Sequence, residues 1–204
     1  RRSVEILANE VIRQRLAESR RRHEARFAGE RVDARELTTQ CLRYLYRLIV
    51  LLYAESRPEL GVLPVDDEAY LAGYSIDRLR ELVLVDLTDD RARNGRHIQE
   101  SLELLFRLVN EGYHAENVQH ALVQLEEVST EDYLEFPGLD ATIFDPSATP
   151  LLNGITLRNE ALQEVLRLLM VSPGRRRDDQ AGFISYAELG INQLGAVYEG
   201  LMAY

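Results

Sequence analysis

The chain has 204 residues, 46% of them hydrophobic, enough to enclose one good-sized core or a compact pair of subdomains. A formal net charge of −10 sets the surface as a whole against a phosphate backbone, which argues against an autonomous DNA-binding domain. All 24 basic residues are Arg, so a catalytic lysine and nucleases of the carboxylate-plus-lysine kind are excluded.

Residues 4–28 read as a charged helix with Val4, Leu7, Ala8, Val11, Ile12 and Leu16 on one side. The basic end of that helix alternates with Glu18, Glu24 and Glu30, the pattern of a solvated face. Asp33 and Glu36 have capping-box spacing and open a helix that continues to about Ser56. Its centre, 45–54, is apolar nearly all round and belongs in the middle of a bundle. Tyr44, Tyr46 and Tyr53 read as core or core-edge rings, and Cys41, the single cysteine, as a small buried hydrophobe.

Pro58, Gly61 and Pro64 break the 58–73 connector, whose Asp66-Asp67-Glu68 lacks the spacing of a calcium loop. Ser75 is placed to cap a short helix over 76–85, and the charged stretch 86–96 separates it from the next. Ile98, Leu102, Leu105, Phe106 and Val109 then recur at helical spacing, with Gly112 set for left-handed geometry at the C-terminus. His97, His114 and His120 have no i, i+4 ligand partner, so no zinc site is expected.

From 128 to 153 the pattern is irregular, a functional loop or a closed excursion. Leu162, Val165, Leu166, Leu169 and Met170 restore helical periodicity, with Thr156 and Asn159 as candidate caps. The stretch 172–182 is an exposed hairpin-like loop, and its Arg175, Arg176 and Arg177 are the candidate contacts to a DNA backbone, partly offset by Asp178 and Asp179. After a short strand near 183–186, Ile191, Leu194, Tyr198 and Leu201 fall on one helical stripe. Gly195 and Gly200 interrupt that helix at about 1 kcal/mol each, a cost most easily tolerated where another backbone approaches closely.

The segment 184–204 resembles a stretch of the form Y-x-x-L-G-x-x-x-L-G-x-x-Y-E-x-L-L that stands ahead of the catalytic domain in large adenine-specific DNA methyltransferases, the type IIG restriction-modification fusions and related phage-exclusion enzymes. Tyr186, Leu189, Gly190, Leu194, Gly195, Tyr198, Glu199 and Leu201 occupy matching positions, with Met202 in place of the second leucine. Residues 45–82 and 143–170 also look like the helical region of these proteins, so the likeness covers most of the chain. It implies a helical spacer that joins an upstream nuclease or recognition region to the catalytic domain. S-adenosylmethionine would belong to the parent enzyme, and the partners would be that catalytic domain and double-stranded DNA. Ile191, Leu194, Gly195, Tyr198 and Leu201 are then the candidate interdomain docking residues.

The chemistry of methyl transfer is absent from this sequence: it has no glycine-rich cofactor loop, and Asp145-Pro146 is followed by Ser147 rather than Pro-aromatic. The segment by itself is expected to be inactive, with no catalytic, cofactor or metal residues. No apolar run of about 20 residues marks a membrane span, so the expectation is a cytoplasmic protein. Arg1-Arg2 at the start and a helical pattern cut at the end suggest a piece of a longer protein, a single helical domain over 1–204 that could divide into 1–127 and 128–204. The expected fold is mainly α, a multi-helix bundle with one or two short strands. The alternative is an α-helical protein-interaction module attached to no enzyme.

Overall fold

Leu37, Cys41, Leu45, Leu48, Leu51 and Leu52 repeat at three- and four-residue steps, which builds the helix that the molecule wraps around, α2 (Ala34–Glu55). The computed structural model describes residues 1–21, 32–113, 134–172 and 182–202, apart from the side chains of 19–21, 201 and 202. Asp33 caps α2 by accepting the Arg35 N–H at 2.9 Å, but Glu36 accepts from the Gln40 amide instead of closing the capping box. Leu48 and Leu51 are sealed from solvent, and each contributes about 1.5–3 kcal/mol by its burial.

Three more amphipathic helices complete the core. In α1 (Arg2–Arg21), Leu7 and Val11 are fully buried. Ile12 and Leu16, expected on the same apolar side, face solvent, because only a narrow stripe of α1 meets α2 and the helix Asn159–Met170. The helix α6 (His97–Glu111) buries Ile98, Leu102, Leu105, Phe106 and Val109, the expected stripe. The helix α8 (Asn159–Met170) buries Leu162, Val165, Leu166 and Met170 on the same cluster, and packs on α1 and α6.

Short elements link these. A 3-10 turn at Pro58–Leu60 stops at Gly61, whose φ of 61° is left-handed. The acidic run that follows has a structural use: Asp67 accepts the Tyr70 N–H at 3.0 Å and caps α3 (Glu68–Gly73). Ser75 does not cap a helix directly; it accepts from Asp77 in a turn, and α4 (Leu79–Leu84) begins four residues later. The charged stretch expected to be only a separator contains α5 (Asp90–Asn94), capped by Asp89 on the Ala92 N–H at 2.7 Å.

At the end of α6, Gly112 has φ 76° but ψ 172°, so it departs in an extended rather than a left-handed helical conformation. That turn brings Tyr113 into an antiparallel bridge with Phe136 and sets Gly112 against Gly138, where a Cβ would lie 3.0 Å from the Phe136 carbonyl oxygen. The irregular segment from 134 packs as a closed excursion: Phe136, Phe144 and Leu152 are buried, with a 3-10 turn at Pro146–Ala148 and a single helical turn, α7 (Pro150–Asn153). Strands β1 (Val171–Ser172) and β2 (Gly182–Phe183) pair antiparallel, Val171 opposite Phe183, and lead to α9 (Ile191–Met202). The architecture is therefore mainly α with one two-stranded sheet. None of the described helices is long and apolar enough to cross a membrane.

Candidate functional site

The helix α9 is held by its approach segment. The Arg57 guanidinium donates to the carbonyls of Ala187 at 2.7 Å and Leu189 at 3.1 Å, and the Tyr186 hydroxyl donates to the Leu169 carbonyl at 2.9 Å. Gln193 reaches back to accept the Gly190 N–H at 2.7 Å, the side-chain half of a capping box. The expected docking stripe is divided. Leu194 is 8% exposed and turned into the chain, and the Tyr198 ring lies 4.8 Å from the Tyr46 ring on α2. Ile191 is 68% exposed and Tyr198 40% exposed, so an apolar margin remains on the outside. At Gly195 and Gly200 no backbone makes the expected close approach: among the described residues nothing lies within 4 Å of where a Cβ would stand. The Leu201 side chain and Arg175, Arg176 and Arg177 lie outside the described residues.

A second feature, absent from the sequence reading, is a set of buried polar side chains that clasp connecting backbone. Gln99, 1% exposed, donates to the Ile155 carbonyl at 3.0 Å and accepts the Leu157 N–H at 2.8 Å. From the other edge of that extended stretch, Gln14 accepts the Thr156 N–H at 2.9 Å and donates to the Thr156 carbonyl. Thr156 is therefore no helix cap. Asn159, expected to cap α8, is its first residue and caps α6 instead, accepting the Ile98 N–H at 3.1 Å while donating to the Ala92 carbonyl at 2.9 Å. Gln163 donates to the carbonyls of Leu82 and Val85, and Arg47 to those of Ile143 and Asp145. These groups satisfy backbone that would otherwise be buried without partners, so they are committed to structure and not to chemistry.

The charged pairs are committed in the same way. Glu10, buried on α1, takes Arg158 at 2.6 Å and Arg13 at 2.8 Å. Burial alone would raise its pKa, but the hydrogen bonds and charges of Arg158 and Arg13 outweigh it and hold the carboxyl below its ordinary range. Glu55 accepts from the Tyr70 hydroxyl at 2.5 Å and from the backbone N–H groups of Ile76 at 2.6 Å and Asp77 at 2.9 Å, yet burial dominates and raises its pKa. The Cys41 thiol is buried and pushed up to about 12, which leaves no thiolate for nucleophilic work. Among the described residues no cluster of His, Cys, Asp or Glu could hold a metal ion. His97 is exposed at the start of α6, and His114 and His120 lie outside the described residues.

A groove of about 420 Å³ runs between α6 and the segment 144–157, with Tyr44 and Arg47 of α2 among its lining. Phe106 stands edge-on to Tyr44, their centroids 5.5 Å apart, and the Arg47 guanidinium sits 5.3 Å above the Phe106 ring. Tyr44 is 3% exposed, and burial, reinforced by the Glu103 charge, raises its pKa so that the phenol stays neutral. Among the described residues that line it, none is an activated nucleophile or half of a poised acid–base pair. Against models of protein families, curated proteins and solved structures, the chain finds no match.

Proposed function

We propose that the chain is the non-catalytic helical spacer of an S-adenosylmethionine-dependent, adenine-specific DNA methyltransferase of a restriction-modification or phage-exclusion system. The cofactor binds in the parent protein's catalytic domain, and the spacer sets the angle at which the flanking regions grip double-stranded DNA. One observation carries the docking reading. In the very segment that resembles the methyltransferase spacer, α9 keeps Ile191 and Tyr198 exposed beside Gly195, which nothing in the described chain approaches. A glycine-lined apolar helix face of this kind suits a second backbone brought close from outside. Leu194 is then the inner anchor to the bundle, and Ile191, Gly195 and Tyr198 form the outer contact. Double-stranded DNA is then a partner through the parent protein, with Arg175, Arg176 and Arg177 as the candidate contacts to its backbone.

The test is Ile191→Asp combined with Gly195→Leu in the full-length protein. Both positions are open and leucine is the better helix former, so thermal stability should not fall while DNA methylation falls at least about tenfold, the loss of roughly 1.4 kcal/mol of coupling. Undiminished methylation would refute the docking role. A parent sequence that lacks a glycine-rich cofactor loop and an Asn-Pro-Pro-aromatic motif beyond Tyr204 would refute the assignment altogether and leave a stand-alone interaction module.

A further inference from the structure

Two hydrogen-bonding atoms in this molecule stand out because they have nothing to bond to and share one groove. The Tyr44 hydroxyl and the Asn110 Oδ1 are both closed to solvent, and neither has a partner among the described residues. Both residues line the groove between α6 and the segment 144–157. Elsewhere the chain accounts for its buried amides closely, as Gln99, Asn159 and Gln163 show. Two such atoms at one cavity point to a partner supplied from within it.

We propose that this groove is a binding site for a small organic ammonium ion carrying an apolar or aromatic body. The charge of the ligand follows from what the lining offers. Asn110 Oδ1 can only accept a hydrogen bond, and the neutral Tyr44 phenol can accept one. Glu100, Glu103 and Glu111 add three carboxylates on α6 against two guanidiniums, Arg107 and Arg47, the second of which is already engaged with the carbonyls of Ile143 and Asp145. A cationic N–H donor meets these acceptors in a lining whose carboxylates outnumber its guanidiniums, whereas an anion would have Arg107 against three carboxylates. The body of the ligand follows from the rest of the lining: the Phe106 and Phe144 rings, with centroids 6.0 Å apart, give an apolar wall. The site uses none of the α9 residues and stands or falls separately from the docking role.

The experiment is a titration of the isotope-labelled protein, followed by backbone amide shifts, with benzylammonium, benzyl alcohol and benzoate as probes. Benzylammonium should saturate with shifts confined to α6 and the segment 144–157, at a Kd of about 1 mM or below, and benzyl alcohol should bind at least about tenfold more weakly. Asn110→Leu should weaken benzylammonium binding at least about fivefold and leave the weaker affinity for benzyl alcohol unchanged. Tyr44→Phe, which keeps the ring and removes only the hydroxyl, should weaken it in the same sense and covers the case in which the Asn110 variant does not fold. Equal binding of the three probes would reduce the groove to an unspecific apolar cleft, and binding of none, or of benzoate best, would overturn the proposal.

Discussion

Replacing Gln99 with leucine tests whether buried amides, and not only apolar packing, fix the connection into α8. The substitution roughly conserves volume, so no large cavity forms. It removes the donor to the Ile155 carbonyl at 3.0 Å and the acceptor of the Leu157 N–H at 2.8 Å. Both backbone groups belong to buried residues, Ile155 and Leu157, and water cannot reach them readily. Each stranded group costs about 1–3 kcal/mol, and the added apolar burial returns roughly 1 kcal/mol, for a net loss of about 3 kcal/mol. In a domain of this size that corresponds to a fall in Tm of about 6–12 °C. The companion variant Gln14→Leu strands Thr156 in the same way but at a part-buried site, where water substitutes. Its loss should be about 1 kcal/mol. Urea melts of both variants give the comparison directly. If Gln99→Leu lies within about 1 kcal/mol of the parent, or costs no more than Gln14→Leu, the claim that the amide clasp determines this connection is wrong.

Tyr44→Phe in the ligand-free protein should raise stability by about 1 kcal/mol, because it deletes a buried hydroxyl that has no partner; a loss of similar size in a urea melt would show that the hydroxyl is bonded. Gly112→Ala places a Cβ 3.0 Å from the Phe136 carbonyl oxygen at a φ of 76° and should cost roughly 2–4 kcal/mol, whereas Gly154→Ala, with nothing nearer than 3.8 Å, should be neutral or stabilising; equal effects on Tm would deny the strain. Glu10→Gln should destabilise the protein near neutral pH, and the difference from the parent should shrink as the solution is acidified. A carboxyl held below its ordinary range contributes stability that is present above the unfolded pKa and is lost as pH falls through the folded one; a gap that stays constant down to about pH 3 would contradict the lowered pKa. Cys41 should resist a thiol reagent near pH 8 in the native protein and react once urea exposes it, and prompt native reaction would place the thiol at the surface.

The parts of the fold legible in the sequence are those set by periodicity. The stripes of α2, α6 and α8 can be counted off the chain, since a run of leucines at helical spacing has few alternatives to burial. Helix starts were harder to read. Asn159 has the composition of a cap, but the helix that it caps is 61 residues away, because side-chain oxygens serve whichever N–H the tertiary fold brings to them. Ser75 instead accepts the Asp77 N–H within a local turn, and Thr156 is held by its backbone to Gln14. The buried side of α1 is narrower than its apolar residues suggest, because an apolar residue on a helix does not declare whether a neighbour exists to cover it, and at Ile12 and Leu16 none does among the described residues. Of the candidate docking stripe, spacing gave the shared face of Leu194 and Tyr198 but not the division between inner anchor and outer margin, which depends on where Tyr46 of α2 arrives.

Polar residues inside apolar stripes were the signal that could have been used. Gln40 stands beside Cys41, Gln99 beside Ile98, and Gln163 beside Leu162, each on a face that periodicity assigns to the core. Burying an amide without partners costs several kcal/mol in an apolar medium. Each such position therefore demands a specific bonded group, and the only groups abundant enough are the carbonyls and N–H groups of connectors that cross the bundle. The structure meets that demand at Gln40 with the Leu151 N–H, at Gln99 with residues 155 and 157, and at Gln163 with the carbonyls of Leu82 and Val85. The same reasoning gives the exceptions their weight. Where a bundle satisfies its buried amides this consistently, Tyr44 and Asn110 without partners at one groove call for a ligand, and Ile191 beside an uncovered Gly195 calls for a surface. The two are separable: a ligand that fills the groove should alter Tyr44 and Asn110 variants and leave Ile191 variants untouched, because no residue of α9 lines it.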